Sequence, residues 1–213
     1  MDELVPGQVD DRVARYAEIA EELDLETLSL LVVAGATSEE VRSVVLAEAA
    51  LREGEELDDD QVSAYGFLDV DGGAVALEHT GYADPTVAAL VRLSEGGRSA
   101  AVVRDNIQAH LRFGCARDGV LLFDDDEFTF IDAADRDRVP GELRPLFDLA
   151  WVDLDAEGEE EEDGNPIAVA LAMAEEATGV VLTVEDLDRG MTLPRSEWHL
   201  VRTGQYAAAS DAG

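Results

Sequence analysis

Apolar residues recur every three or four positions in several segments of the chain, a spacing that is typical of amphipathic helices. The clearest example covers residues 9–23, where acidic residues separate the apolar ones. Thr37 and Glu40 have the spacing of a capping box, so a second helix is predicted to begin there and to run to residue 49. The other predicted helices are 85–94, 141–151, 166–177 and a short one at 183–187.

Short apolar runs bounded by turn residues separate these helices and predict β-strands. Two Asp-Gly pairs, at 71–72 and 118–119, supply the positive φ angles that tight hairpin turns require. The polar content of residues 107–116 leaves strand and helix both open for that segment. The predicted strands are 28–34, 65–70, 74–78, 99–104 and 120–123.

This order of elements predicts an α+β fold. We expect a mostly antiparallel sheet of about five strands, with helices on one face and a C-terminal helical segment. The chain has 213 residues, 46% of them hydrophobic, which suffices for one sizeable core. A single domain is expected over 9–190, and a flexible C-terminal tail over 191–213, where the periodicity fades.

The net charge of the chain limits the classes of partner that it can bind. Aspartate and glutamate number 49 against 15 basic residues, all arginine, which gives a formal net charge of −34. Such a surface repels phosphate backbones and anionic membranes, so we expect no nucleic-acid and no membrane partner. Three origins of the acidity stay open: a GC-rich genome, a high-salt cytoplasm, and an acidic face that docks on a basic protein.

The cellular compartment is expected to be the cytoplasm. The first residues carry neither the basic region nor the apolar stretch of a signal peptide. The apolar runs are also far shorter than the roughly 20 residues of a membrane span. Cys115 is the single cysteine, which excludes an intramolecular disulfide, and its apolar setting indicates a core residue rather than a nucleophile.

Two acidic clusters could carry chemistry. Asp124–Glu127 follows a predicted strand, where carboxylates can serve acid–base or metal chemistry, although they can equally cap the turn that follows. The segment 153–164 begins with the ligand spacing of an EF-hand loop. Its twelfth position is Gly164 instead of a bidentate glutamate, so we interpret it as a solvated acidic linker and predict no metal site.

Histidine and tryptophan add two weaker candidates. The histidines lack the paired spacing of a zinc site; they are His79, His110 and His199. His79 follows Glu78 at the end of a predicted strand, where the two side chains could belong to a polar cluster. Trp198, between two polar residues, is a candidate docking point.

Familiar catalytic motifs are absent from the sequence. It contains no P-loop, no dinucleotide-binding glycine fingerprint, no GxSxG and no HExxH. We therefore predict no catalytic residues and no cofactor. The candidate polar cluster consists of Glu78, His79, Asp124, Asp125, Asp126 and Glu127.

Several segments together resemble an uncharacterised family found mostly in actinobacteria, catalogued as domain of unknown function 6461. The likeness spans roughly residues 15–190. It rests on Glu78 and Gly81 after a Gly-Gly turn, Ser94 with Gly96, Phe113–Gly119, and Thr178-Gly179-Val180. The chain departs from the family pattern within Ala74–Ala76, where a tryptophan is usual, and within 130–140. The resemblance implies an actinobacterial, cytoplasmic protein and supplies neither an activity nor site residues.

Three functions follow as hypotheses. The first is a non-enzymatic protein–protein interaction module, of an accessory or toxin-neutralising type, that binds a basic protein. The second is an enzyme with an unrecognised carboxylate site, which would bury its carboxylates in a concave pocket. The third is an acidic DNA mimic, which would space its acids along one elongated face.

Overall fold

The protein is built around one antiparallel sheet. The computed structural model describes residues 11–25, 27–49, 62–80, 85–105, 111–152 and 165–202. The strands are β1 (Leu28–Ala34), β2 (Val62–Val70), β3 (Gly73–Glu78), β4 (Ser99–Asp105), β5 (Leu111–Arg117), β6 (Val120–Asp125) and β7 (His199–Arg202). Their order is β6-β5-β4-β1-β3-β2-β7, and each neighbouring pair is antiparallel. The predicted α+β class and antiparallel sheet are confirmed, with seven strands instead of about five.

Helices cover both faces of this sheet. Within the described residues they are α1 (Asp11–Glu22), α2 (Ser38–Ala49), α3 (Val87–Leu93), α4 (Arg144–Phe147), α5 (Pro166–Thr178) and α6 (Val184–Met191). Short 3-10 helices cover Phe128–Phe130, Arg136–Arg138 and Arg195–Glu197. One core contains side chains of α1, α4, α5 and α6, and the other contains side chains of α2 and α3. The prediction of helices on one face is therefore wrong.

The composition of β1 explains why there are two cores. Leu30 and Val32 point into the core of α1 and α5. Leu31 and Val33 point into the core of α2 and α3, and all four are at most 1% exposed. A strand that is buried on both faces is a continuous apolar run, because neither set of alternating side chains meets water. Layers of helix on both faces satisfy that requirement.

Helix α5 is the centre of the first core. Nine of its residues are buried, which suits a helix that is apolar almost all round. The Asn165 side chain caps its start by accepting from the N–H groups of Ile167 and Ala168, at 3.1 and 3.3 Å. Gly179 ends it in the left-handed conformation, which glycine adopts without a Cβ clash. The predicted helix at 166–177 is confirmed.

Tyr16 joins α1 to the residues around α5. Its hydroxyl donates to Glu175 Oε2 at 2.7 Å and accepts from the backbone N–H of Leu182 at 3.2 Å. Burial raises the pKa of Tyr16 to about 12, so the phenol stays neutral and can keep donating.

Helix α2 begins with the predicted capping box. The Glu40 carboxylate accepts from Thr37 N at 2.9 Å, and Thr37 Oγ1 accepts from Glu40 N at 3.3 Å. Arg98 also donates to Glu40 at 2.7 Å, and this hydrogen bond lowers the pKa of Glu40 to about 2.

The second half of the chain decides one open segment and differs from the sequence prediction in two places. In the segment 107–116, for which strand and helix were both open, β5 begins at Leu111 and runs to Arg117. The predicted helix at 141–151 is reduced to the single turn of α4, flanked by hydrogen-bonded turns. The predicted tail begins at 191, yet His199–Arg202 pair with β2 as an edge strand, while residues 203–213 lie outside the described residues.

Candidate functional site

Glu78, at the end of β3, is a buried carboxylate with several hydrogen-bond donors. Its Oε1 accepts from Ser63 Oγ at 2.7 Å, from Thr80 N at 2.8 Å and from the Thr80 hydroxyl. Ser63 Oγ and Thr80 Oγ1 lie 3.1 Å apart. Glu78 is only 7% exposed, so these bonds replace the water that a carboxylate normally binds.

Glu78 belongs to a row of polar side chains that crosses the sheet on the α2–α3 face, which we call the polar row. Strand register places its members on neighbouring strands, and the Leu30–Leu77 pair sets Ser29 beside Glu78. Side chains two residues apart on a strand share a face, and Arg104, Ser29 and Glu78 each lie two residues from a member of the α2–α3 core. Tyr65 belongs to that core, and Arg112 pairs with Arg104, so all five side chains share that face. From β5 to β2 the polar row is Arg112, Arg104, Ser29, Glu78 and Tyr65.

The run Asp124–Glu127 neutralises the arginine end of the polar row. Asp124 Oδ1 accepts from Arg112 Nε at 2.9 Å, and Asp126 Oδ1 lies 3.4 Å from Arg104 Nη2. Arg112 and Arg104 face each other across β4 and β5, where two like charges would repel. The aspartates offset that repulsion, since Asp124 binds Arg112 and Asp126 lies beside both arginines, 3.8 Å from Arg112 Nε.

Gly114 gives Asp124 the space to reach Arg112. The β5–β6 register sets Gly114 opposite Asp124. A Cβ on Gly114 would overlap Asp124 Oδ1 and would lie 3.1 Å from Val102 Cγ1. The Arg112 guanidinium also donates to the Pro85 carbonyl at 2.9 Å, so the buried charge has acceptors on two elements.

The acids of this run differ in exposure. The Asp126 side chain is 75% exposed, whereas those of Asp124 and Asp125 are 20% and 22% exposed. Asp125 accepts from the Glu127 N–H at 3.1 Å and lies 3.7 Å from Arg138 Nη1. Asp125 therefore caps the turn after β6, in line with the capping interpretation of this cluster, while Asp126 and Glu127 face solvent.

His79 lies on the other face of the sheet from Glu78. Its ring stacks on Trp198 with 4.6 Å between ring centroids and 11° between planes. Its Nε2 is buried and has no hydrogen-bond partner among the described residues. A Cβ on Gly66 would lie 2.9 Å from this Nε2, so glycine there allows the ring to lie against β2. Burial lowers the pKa of His79, and the nearby Glu78 charge opposes that shift.

Trp198, predicted as a docking point, is half-buried in this stack. Its indole N–H donates to the Leu193 carbonyl at 3.0 Å. The Arg195 guanidinium lies 5.5 Å from the centroid of its ring. In this position Trp198 attaches the segment before β7 to the end of β3.

The six residues of the predicted polar cluster therefore occupy three places. Glu78 and Asp124 share a face and an end of the sheet, but β3 and β6 are separated by β1, β4 and β5. At about 4.8 Å per strand interval, their backbones lie about 19 Å apart. His79 points to the opposite face. The structure does not bring these carboxylates together as one acid–base pair.

A surface cavity of about 260 Å³ lies elsewhere, between α2 and the β2–β7 edge. Its walls carry charges of both signs, and Glu39 and Arg42 bind each other there. None of the six predicted cluster residues lines it. The lining residues are Ser38, Glu39, Arg42, Phe67, Leu193, Glu197 and His199.

Cys115 lies in the core, as predicted. It is 0% exposed, and burial raises the pKa of its thiol to about 12. A thiol in this state supplies almost no thiolate at neutral pH and is a poor nucleophile.

The described part of the chain contains neither a cluster of metal ligands nor a helix that could span a membrane. No group of three His, Cys, Asp or Glu side chains there is arranged to hold a metal ion. None of the helices in those residues is long and apolar enough to cross a membrane. The EF-hand-like segment at 153–164 lies outside the described residues.

Sequence reasoning missed the basic half of the polar row. Arg112 is 6% exposed and lies in a segment whose secondary structure the pattern left open. One signal was present: Arg104 and Arg112 each directly adjoin strand residues that are buried. In a chain with so few basic residues, arginines inside predicted strands indicate buried partners.

The fold and site define an α+β protein with a seven-stranded antiparallel sheet, helices on both faces and a buried polar row at one end. The chain matches the family of unknown function DUF6461 over residues 24–191 and belongs to that family. The resemblance seen in its sequence is thereby confirmed. Neither the search of curated proteins nor that of solved structures gives a match.

Proposed function

We propose that the protein is a cytoplasmic, non-enzymatic interaction module, of an accessory or toxin-neutralising type, that binds a basic protein. The net charge of −34 would attract a basic partner at long range and would repel most other cell components. Net charge alone does not locate the binding surface, which must also have a local structural feature that a partner can recognise.

The local feature is the β6 edge of the sheet. Val120 and Leu121 are 58% and 39% exposed, although both are large apolar residues. The solvent-facing acids Asp126 and Glu127 follow directly after the strand. Exposed apolar side chains next to polar ones are typical of protein-binding surfaces. The presence of exposed apolar residues at the start of β6 and exposed acids just after its end is the observation that carries the proposal.

An enzyme with a carboxylate site is the second candidate, and the burial of Glu78 among hydroxyl groups favours it. A buried glutamate in a row with two arginines resembles the charge arrangements of active sites. Against it, the predicted carboxylates lie in two separate places, at the ends of β3 and β6, and the 260 Å³ cavity contains none of them. The interaction module is therefore the better-supported function.

The test is affinity capture from a lysate of the source organism, at low and at high salt. We expect a basic protein to be retained only at low salt, and to bind the purified chain directly when isolated. The double variant Asp126→Asn/Glu127→Gln should lose most of this binding.

The matched control is Glu18→Gln/Glu21→Gln, which removes the same charge from the exposed surface of α1. It should keep the binding. Equal loss of binding in both double variants would mean that the partner responds to net charge and not to the β6 edge. Capture of no protein at either salt concentration would contradict the proposal.

A further inference from the structure

We propose that β6 accepts an extended segment of the basic partner as an additional, antiparallel strand, with the basic residues of that segment preceding its apolar ones. This inference rests on the proposed function and specifies the surface and the chemistry of the partner.

The outer edge of β6 is open within the part of the chain that the structure describes. There, β6 pairs with β5 only, and it lies at one end of the sheet. No backbone hydrogen bond from another described segment reaches Val120–Asp125. An open edge presents unpaired N–H and C=O groups, which a second chain can use to add a strand.

The side chains of β6 divide the edge into two halves. The first half carries the exposed Val120 and Leu121, and the second ends in the acidic run 124–127. Arg117, opposite Val120, has a carboxylate partner in Glu142 at 3.4 Å. The edge is therefore apolar at its start and acidic at its end.

The charges of the second half decide which occupant fits. Among the described residues, three arginines lie near these acids, and each already has carboxylate partners. Arg138 lies 3.7 Å from both Asp125 and Asp135. Asp126 Oδ1 lies 3.4 Å from Arg104 and 3.8 Å from Arg112. Asp126 and Glu127 remain exposed to solvent. A second copy of the chain would bring another net charge of −34 to this edge, which strongly disfavours self-pairing. A basic segment is the complementary occupant.

The direction of β6 sets the order of residues in that segment. Each strand pair in the sheet is antiparallel, and antiparallel pairs are slightly more stable per residue. An antiparallel strand begins opposite the end of β6, where the acids are, and finishes opposite Val120. Basic residues must then come first and β-branched apolar residues second.

Two synthetic peptides of identical composition test this order. One places arginines before valines, the other places valines before arginines, and both carry a fluorescent label for anisotropy. The first peptide should bind at least about tenfold more tightly at low salt. Hydrogen exchange of the intact chain should show new protection of the amides of Val120–Asp125 with that peptide bound.

Two edge variants provide the matched control. Val120→Arg should weaken binding of the first peptide at least about tenfold, and Leu200→Arg should leave it unchanged. Val120 and Leu200 are both 58% exposed and lie on opposite edges of the sheet, so the substitutions differ in place and not in kind.

The outcomes separate this inference from the proposed function. Equal binding of the two peptides, no binding, protection outside β6, or an equal effect of the two variants would each overturn strand addition. If the lysate partner still bound the Val120→Arg variant at low salt, the proposed interaction function would stand, and the assignment of the β6 edge as the binding surface would be wrong. If the lysate yielded no partner, the interaction module itself would fail.

Discussion

At the scale of single residues, the buried charged side chains are the most demanding, because each needs hydrogen-bond partners in place of water. Glu78 and Arg112 are each at most 7% exposed and each bind donors or acceptors from neighbouring segments. The sequence pattern identified Glu78 as a candidate because it ends a strand. It did not identify Arg112, because partners on β6 and before α3 come together only in the folded sheet.

His79 gives the clearest pH prediction at this scale. Its pKa is below the ordinary value of 6.5 because of burial, so the folded state prefers the neutral ring. The charges near it are Glu78, which opposes the shift, and Arg195, which lies beside the stacked Trp198. The contribution of His79 to stability is complete above pH 6.5 and is lost as pH falls below it.

We therefore expect the free energy of unfolding to fall between about pH 6.5 and pH 5, and this fall to be smaller in His79→Phe. Phenylalanine keeps an aromatic ring for Trp198 to stack on and removes the titration. The measurement is urea unfolding across that pH range. The same dependence of unfolding free energy on pH in both proteins would show that folding does not shift the pKa of His79.

At the scale of elements, the sequence predicted most helices and hairpins but misplaced them around the sheet. The apolar run 28–34 predicted a strand. An unbroken apolar run is also typical of a strand that is covered on both faces, and that second conclusion was not drawn. Strand β7 was missed because four residues are too few for alternation to be visible. The predicted helix 141–151 keeps only the single helical turn of α4, and hydrogen-bonded turns flank it.

Glycines on two strands test how closely these elements pack. A Cβ on Gly66 would overlap Leu193 Cδ1, and one on Gly114 would overlap Asp124 Oδ1. We expect either alanine variant to lose about 1–3 kcal/mol of unfolding free energy through overpacking. Gly141→Ala is the control, since a Cβ there has no heavy atom within 4 Å, and it should change stability by less than about 0.5 kcal/mol.

Chemical denaturation of the three variants measures these differences. The Gly114 variant should in addition weaken the Asp124–Arg112 pair, which would appear as faster hydrogen exchange in β5 and β6. Stability of the Gly66 and Gly114 variants equal to that of the Gly141 variant would mean that the Leu193 and Asp124 side chains move aside at little cost.

At the scale of the whole molecule, charge dominates. The excess of carboxylates over arginines is far larger than the ion pairs of the described residues can balance, so the folded chain repels itself. Added sodium chloride should therefore raise the thermal unfolding midpoint, because at about 1 M salt the Debye length is only about 3 Å. A midpoint that falls with sodium chloride would mean that the described ion pairs outweigh the repulsion.

Composition alone did not assign a role to the acidic residues. Of the three acidic clusters in the sequence, the structure describes only the run 124–127. The loop clusters at 55–60 and 153–163 lie outside the described residues. In the run 124–127, Asp124 and Asp126 lie beside arginines, and Asp126 and Glu127 are exposed to solvent. Among the described residues, the neighbouring strand β6 pairs on one side only. That combination of paired and exposed carboxylates was not visible in the sequence, because Arg104, Arg112 and Arg138 come from distant segments.

The most direct test of the interaction module is the low-salt capture of a basic protein by two charge-matched variants. The account predicts that Asp126→Asn/Glu127→Gln loses the partner while Glu18→Gln/Glu21→Gln retains it. Retention by the first variant, or equal loss by both, would contradict a binding surface at the β6 edge.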